Sequence, residues 1–283
     1  MNKYNPPKIW TWDKENGGKF SKINRPFSGS THQKKLPVGK HPFQLYSQGT
    51  PNGIKVTILL EELLETGIDD AEYDAWLVEI GKGDQFSSGF VEINPNSKIP
   101  VLVDMDNEKP INIFESGSII LYLAEKFNAF IPEKLPEKTE CLNWLFWQMA
   151  SSPYLGGGFG HFYAYANEKY EYPIDRYTME TKRQLDVLNK HLFNKSYICN
   201  DEYSIADIAI WSWYGQLVLG KLYNSAEFLE VNSYKNIYDW AKKINSRPAV
   251  RRGKIVNKVS GNENFRIKER HSKEDFSHLN LNG

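Results

Sequence analysis

"LYSQGTPNGIKVTILLEELL", residues 45–64, decides the fold reading. Phe43, Leu45 and Ser47 alternate with Gln44, Tyr46 and Gln48, the two-residue period of a short strand. Val56, Leu59, Leu60, Leu63 and Leu64 then fall at i, i+3, i+4, i+7 and i+8, one face of a helix that Gly67 can end. Between them lie Thr50, Pro51, Asn52 and Gly53. A redox domain of this layout would carry a cysteine there, and this chain has none. Such a turn needs a chemistry that does not depend on a nucleophile of its own.

Reading outward, residues 72–80 form a mostly apolar strand, and the polar loop "GKGDQFSSGFVEINPNSK" leads to a strand over 99–104. A turn and a returning strand over 111–114 follow, then a helix with Ile119, Ile120, Leu123 and Phe127 on one face. The order β-α-β, then β-β-α, is the thioredoxin-like layout, with the middle connection too irregular to assign. Beyond residue 134 strand patterns give way to helical stripes. They are Leu142, Leu145, Phe146 and Met149; Ile174, Thr178, Thr181, Leu185, Leu188 and Leu192; and Tyr234, Ile237, Tyr238, Ala241 and Ile244. In "YSIADIAIW", Ser204 and Asp207 have the spacing of a capping box. The expected organisation is an arm over 1–41, a thioredoxin-like domain over 42–130, an all-helical domain over 131–258 and a polar, extended tail over 259–283. Trp10, Trp12, Phe20 and Phe27 in the arm predict that it is ordered against the body.

The 283 residues carry 35 basic and 35 acidic side chains, a net charge of zero. That balance gives no electrostatic reason to expect nucleic acid or an anionic membrane as partner. No apolar run reaches membrane-spanning length and residues 1–24 lack a signal-peptide core, so a cytoplasmic protein is expected. Cys141 and Cys199 stand 58 positions apart, too few for a disulfide scaffold and too far apart for a CxxC pair. Each reads as a small core residue without a catalytic role. The six histidines show no metal-ligand spacing, and no metal is expected.

Three pieces of the first domain can converge on one ligand. The helix start at Thr50–Gly53 has free N–H groups and a dipole that favour an anion. In "NSKIPVL", a cis Ile99–Pro100 bond would free the Ile99 backbone to pair with a peptide-like ligand. In "FESGS", Glu115 can take an ammonium group while Ser116 takes the adjacent carboxylate. A thiolate, an extended peptide and an α-amino acid head together describe glutathione. A thiol of pKa ~8.5 must drop by ~1.5 units, or ~2 kcal/mol, to ionise near neutrality. A helix terminus supplies ~0.3–1 kcal/mol. A hydrogen bond to the charged sulfur adds roughly 1.5–3 kcal/mol. A hydroxyl from Thr50, assisted by the Asn52 amide, therefore decides the matter.

The chain resembles the cytosolic glutathione transferases, and within them the bacterial nu class. The resemblance runs through "IWTWDK", "INRP", "GTPNG", "GDQFSSGFVEINPNSKIP", "FESGSI", "LGGGFGHFY" and "RPAVRRG", in order and over nearly the whole chain. It implies a thioredoxin-like domain followed by a helical domain, a homodimer, and two glutathione molecules near one another in each site, serving disulfide-bond reduction. By that resemblance Thr50 and Asn52 flank the reacting sulfur, and Gln85, Ile99, Glu115 and Ser116 bind the first glutathione. Pro51, Lys98 and Pro100 adjoin those positions and are counted with them. Asn24 from the arm and Arg176 from the helical domain complete the pocket, Arg176 mainly for the second molecule. The family pattern has glutamine where this chain has Met149, with Gln148 beside it.

Other features read more plainly. "GGGFGHFY", residues 156–163, has no preceding strand and no GK[ST], so it is a flexible or close-packed stretch, with Phe159, His161 and Tyr163 candidates for the entrance. Tyr46, nearest to a catalytic phenol, reads as a packing residue. Residues 247–252 read as a solvated helix exit. Conjugation to electrophiles or peroxide reduction would use the same thiolate, and a non-catalytic binding module is the alternative of a different class.

Overall fold

The computed structural model describes residues 4–21, 23, 25–199, 201–277 and 279. A four-stranded sheet runs in the order β2-β1-β3-β4, with β1 Phe43–Ser47, β2 Tyr73–Leu77, β3 Val101–Asp104 and β4 Ile111–Phe114. β1 pairs parallel to β2 and antiparallel to β3, and β3 antiparallel to β4. Helix α1 (Gly53–Glu65) links β1 to β2, a short α2 (Ser88–Ile93) fills the irregular connection, and α3 (Ser116–Lys126) follows β4. Gly67 ends α1 at φ 86°, the left-handed conformation for which glycine is suited.

Every residue of β1 is buried, so its alternation does not mark a half-solvated strand. Phe43 and Leu45 join the core beneath α1 and α3. Tyr46 packs on the other face with Val78, Phe90, Val101 and Val103, against Leu36 of the arm. A central strand covered on both faces carries a polar residue where its hydrogen bonds are met internally. Gln44 is one: its amide donates to His41 O at 2.6 Å and to Asp74 Oδ2 at 3.0 Å.

The second unit contains α4 (Leu135–Pro153), α5 (Glu171–His191), α6 (Ile205–Ile210), the one-turn α7 (Gln216–Val218), α8 (Lys235–Asn245) and α9 (Pro248–Gly253). Two π-helical stretches, Tyr154–Tyr165 and Trp211–Gly215, extend α4 and α6. The capping box at α6 is present: Asp207 Oδ2 accepts from the Ser204 N–H at 3.1 Å. The two units share one core, in which Leu59, Leu60 and Ile120 join Leu145, Ile205 and Ile208. Among the described residues no helix is long and apolar enough to cross a membrane.

One expectation needs correction. Arg247 and Arg252 are not a solvated exit: Arg247 forks onto Glu62 at 2.6 and 2.7 Å, and Arg252 reaches Glu61 at 2.7 Å, on the buried face of α1. The tail is polar but anchored: Arg270 is wholly buried, with its guanidinium on Glu72 at 2.7 Å, and Ala75 of edge strand β2 pairs with it. In the arm Phe20 packs on His161 and Tyr165, whereas Trp10 and Phe27 stay more than half exposed.

Candidate functional site

The site is built on the turn from β1 into α1. A Cβ on Gly53 would lie 2.0 Å from Gln48 O and 2.6 Å from Ser47 Oγ, so only glycine lets the chain turn this tightly. The Gly49 N–H donates to Asn257 O at 2.8 Å, which ties the turn to the segment that follows α9. Thr50 Oγ1 accepts from the Gly53 N–H at 3.3 Å, so its own O–H proton remains to be donated. Asn52 Oδ1 accepts from the indole N–H of Trp213 at 2.9 Å. An indole nitrogen can only donate, so the oxygen of that amide is spoken for and its NH2 group is the one left to donate.

These residues line a cavity of about 690 Å³, in the range of small-molecule sites. Thr50, Pro51, Asn52, Gln85, Lys98 and Ile99 form one wall. Gly156, Gly157, Tyr165, Trp213 and Tyr223 of the helical unit form the other, with Ile23 of the arm at the edge. Among the described residues, Gln85 Oε1 and Ser97 Oγ are buried beside it without a partner. Such atoms are costly unless something supplies the missing hydrogen bonds, and a peptide-like ligand would do so. Gln85 is held by its amide nitrogen on Ile80 O at 3.3 Å, which directs the oxygen.

The Ile99–Pro100 bond is cis, with Pro100 buried behind Ile99. Asn94 fixes this loop through its amide on Lys98 O at 2.7 Å. Glu115 and Ser116 lie past Ser97, outside the main cavity lining. Asn96 Nδ2 donates to Glu115 Oε1 at 3.3 Å, and Glu115 takes φ 68° as it turns the chain into α3. Ser116 is buried and its Oγ accepts from Lys55 Nζ at 3.2 Å. Met149 packs directly under this corner, with its Sδ 3.8 Å from Ser116 Oγ. Gln148 turns inward, accepting from Lys55 at 2.8 Å.

Not every expected residue arrives. Arg176 is exposed on α5 and does not line the cavity. Asn24 lies outside the described residues. Phe159 is fully buried, and Tyr165 and Tyr223 line the cavity where Phe159, His161 and Tyr163 do not. The glycine stretch is close-packed: a Cβ on Gly156 would sit 2.5 Å from Trp213, and one on Gly160 would sit 2.3 Å from Tyr223. Tyr46 donates to Pro37 O at 2.7 Å, and burial, reinforced by Asp74, pushes its phenol up to about 12. It does not line the cavity. Sequence reasoning missed Trp213, Tyr223 and Lys55. The first two belong to no apolar stripe, and a single lysine on a helix normally marks solvent.

The cysteines, distant in sequence, meet in space. Both are buried, and the hydrogen bond that the Cys199 thiol donates to Cys141, together with burial, pushes Cys199 well above its ordinary value. Neither lines the cavity. Among the described residues no group of His, Cys, Asp or Glu could hold a metal ion.

Comparison with known proteins identifies the family. The family profiles described as "Glutathione S-transferase, N-terminal domain" and "Glutathione S-transferase, C-terminal domain" match residues 51–126 and 142–248. The disulfide-bond oxidoreductase YghU of Escherichia coli K12 is 62% identical over 275 residues, covering 97% of this chain and 96% of that protein. The crystal structure of a glutathione transferase YghU from Streptococcus pneumoniae, complexed with glutathione, superposes with a TM-score of 0.87 at 57% identity, covering 89% of this chain and 97% of that one. A Burkholderia graminis glutathione transferase with two glutathione molecules bound per subunit gives 0.69 at 38% identity, covering 76% and 88%. With both domains matched and the fold shared along their length, the chain belongs to the glutathione S-transferase family.

Proposed function

We propose that this protein is a glutathione-dependent disulfide-bond reductase in which the attacking sulfur belongs to the ligand. The observation that carries the reading is the pairing of a donor-rich, thiol-free cavity with two cysteines buried elsewhere against each other. The Thr50 hydroxyl and the Asn52 NH2 group face the cavity at the start of α1, where a thiolate gains two hydrogen bonds and the helix dipole.

One glutathione lies with its sulfur at Thr50 and Asn52 and its peptide along Ile99 and Gln85, whose orphaned oxygen accepts an N–H. Its γ-glutamyl end reaches Glu115 and Ser116. Its thiolate attacks one sulfur of the substrate disulfide, forming a glutathionyl mixed disulfide and releasing the other half as thiolate. A second glutathione thiolate attacks the glutathione sulfur of that intermediate. The products are oxidised glutathione and two substrate thiols, protonated from solvent. The Burkholderia graminis structure, with two glutathione molecules per subunit, supports room for the second molecule. Met149 makes the second site differ from the family pattern at that position. Homodimeric assembly and a cytoplasmic location belong to the same proposal.

The aromatic wall of Tyr165, Trp213 and Tyr223 favours one further reading, conjugation of apolar electrophiles by the same thiolate. The test is turnover of 2-hydroxyethyl disulfide with glutathione, coupled to glutathione reductase and NADPH, beside a chloronitrobenzene conjugation assay. The Cys141→Ala/Cys199→Ala protein is expected to retain wild-type disulfide turnover. Loss of that turnover in a folded double variant would return the nucleophile to the protein.

A further inference from the structure

Lys55 is the third residue of α1 and is completely buried. Among the described residues it has no carboxylate within ion-pair distance. Its ammonium donates to Gln148 Oε1 at 2.8 Å and to Ser116 Oγ at 3.2 Å, and it touches Met149 Sδ at 3.5 Å. Lysine is almost never fully buried without a counter-charge, because desolvating an ammonium costs several kcal/mol. Two neutral oxygens and a thioether do not replace a carboxylate.

What the corner lacks is an anion, and its groups point to where one belongs. Ser116 Oγ takes a hydrogen bond from Lys55 and, among the described residues, has on its own proton only the weak acceptor Met149 Sδ, at 3.8 Å. A carboxylate would displace that contact. Ser116 also opens the 11-residue α3, whose first N–H groups favour negative charge. Gln148, fully buried, leaves its Nε2 without a partner at the same corner.

We propose that the Lys55 ammonium is a positioning charge for the α-carboxylate of the γ-glutamyl end of glutathione, acting through the Ser116 hydroxyl. The inference rests on the glutathione reading above. Lys55 polarises Ser116 toward the carboxylate and acquires from the ligand the counter-charge that the protein withholds. Glu115, on the same turn, remains for the neighbouring ammonium group. In the free protein, burial lowers the Lys55 ammonium to about 7, with the Glu115 carboxylate partly opposing that effect. A bound carboxylate would oppose it further.

The experiment compares glutathione with 4-aminobutyryl-cysteinyl-glycine, which keeps the amine, peptide and thiol but lacks that carboxylate. Titration calorimetry on the full chain should show Lys55→Met weakening glutathione by about tenfold, or ~1.4 kcal/mol. The same variant should leave affinity for the analogue within about twofold. Steady-state assays should show KM for glutathione rising with kcat at saturation unchanged. Lys55→Gln keeps a donor but no charge, and should show the same selective loss. It also stands in if the methionine variant does not fold. Equal loss for both ligands would make Lys55 a structural residue and overturn the proposal, as would unchanged glutathione affinity. A wild-type protein that binds the analogue as tightly as glutathione would overturn it while leaving the glutathione site in place. A wild-type protein that binds neither would overturn the glutathione reading itself.

Discussion

Trp213 Nε1 donates to Asn52 Oδ1 at 2.9 Å across 161 positions of sequence, so a helical-domain residue sets the face that the Asn52 amide shows to the cavity. Gly156 permits this contact, because a Cβ there would lie 2.5 Å from the indole. Trp213→Phe keeps the ring but removes the donor, which lets the amide rotate and present its oxygen to the thiolate. An oxygen facing a thiolate repels it. The bound thiol should therefore have a raised pKa, seen as an alkaline shift in the thiolate ultraviolet absorbance. Its kcat/KM at neutral pH should fall about tenfold, which corresponds to ~1.4 kcal/mol. An unshifted titration would remove Trp213 from the control of Asn52.

Thr50 offers a similar test with the opposite control. Its oxygen is already engaged by the Gly53 N–H, which fixes the rotamer and leaves the proton for sulfur. Thr50→Ala removes a hydrogen bond to a charged atom, worth roughly 1.5–3 kcal/mol, so disulfide turnover should fall roughly tenfold to a hundredfold. The hydrogen bond from the Gly53 N–H that it also loses costs about 1 kcal/mol in unfolding free energy. Thr50→Ser, which retains the hydroxyl, should recover most of the activity. Equal activity of the alanine and wild-type proteins would place the thiolate elsewhere.

The sheet and its helices were legible because their apolar periods are strong: Val56, Leu59, Leu60 and Leu63 are all fully buried on α1, as their spacing requires. The cavity-lining positions Thr50, Asn52 and Ile99 were legible through short motifs that sit together in the first domain, and Gln85 only through the family resemblance. What escaped depends on pairs far apart in the chain. Trp213 follows buried Trp211 by two positions, off the core-facing stripe, and only the packing of Gly156 brings it to Asn52. Arg252 and Arg270 carry no sign in their own neighbourhoods that Glu61 sits buried between them. The Cys141–Cys199 approach is of the same kind: 58 positions excluded a local motif and said nothing about a tertiary one.

Lys55 gives a pH prediction with a definite sign. Its folded-state ammonium is lowered to about 7 by burial, against an unfolded value near 10.4. Between those values the unfolded chain holds the proton and the folded chain releases it, so stability rises with pH. The desolvation penalty is therefore full at and below pH ~7 and disappears as the pH approaches ~10.4. Lys55→Met has no such group. The stability of wild type minus that of the variant should climb across this window, by at most ~1.4 kcal/mol per pH unit. Glu115, from the start of α3, is the charged group acting on Lys55, so Glu115→Gln should shift the window lower. Denaturation of both proteins at several pH values checks it, and a flat difference would mean that Lys55 is solvated.

Asn257 joins the tail to the turn from β1 into α1. It is wholly buried at φ 53°, its amide donates to Lys268 O at 2.8 Å and to Ala75 O at 3.3 Å, and its carbonyl accepts from the Gly49 N–H at 2.8 Å. One residue thus connects the tail, edge strand β2 and the residue before Thr50. Two substitutions separate its contributions. Asn257→Gly removes the side-chain hydrogen bonds but accepts the left-handed backbone, and should cost about 2 kcal/mol, since two buried carbonyls lose a donor. Asn257→Ala loses the same hydrogen bonds while keeping a Cβ in that left-handed conformation, which places it ~1–2 kcal/mol below the glycine variant. Urea unfolding should therefore rank wild type above glycine, and glycine above alanine. Because both variants keep the carbonyl that holds Gly49, reductase activity of the folded fraction should stay closer to wild type than that of Thr50→Ala. If the glycine variant is the less stable of the two, the positive φ carries no cost in the native protein, and the side chain alone holds the tail to the sheet.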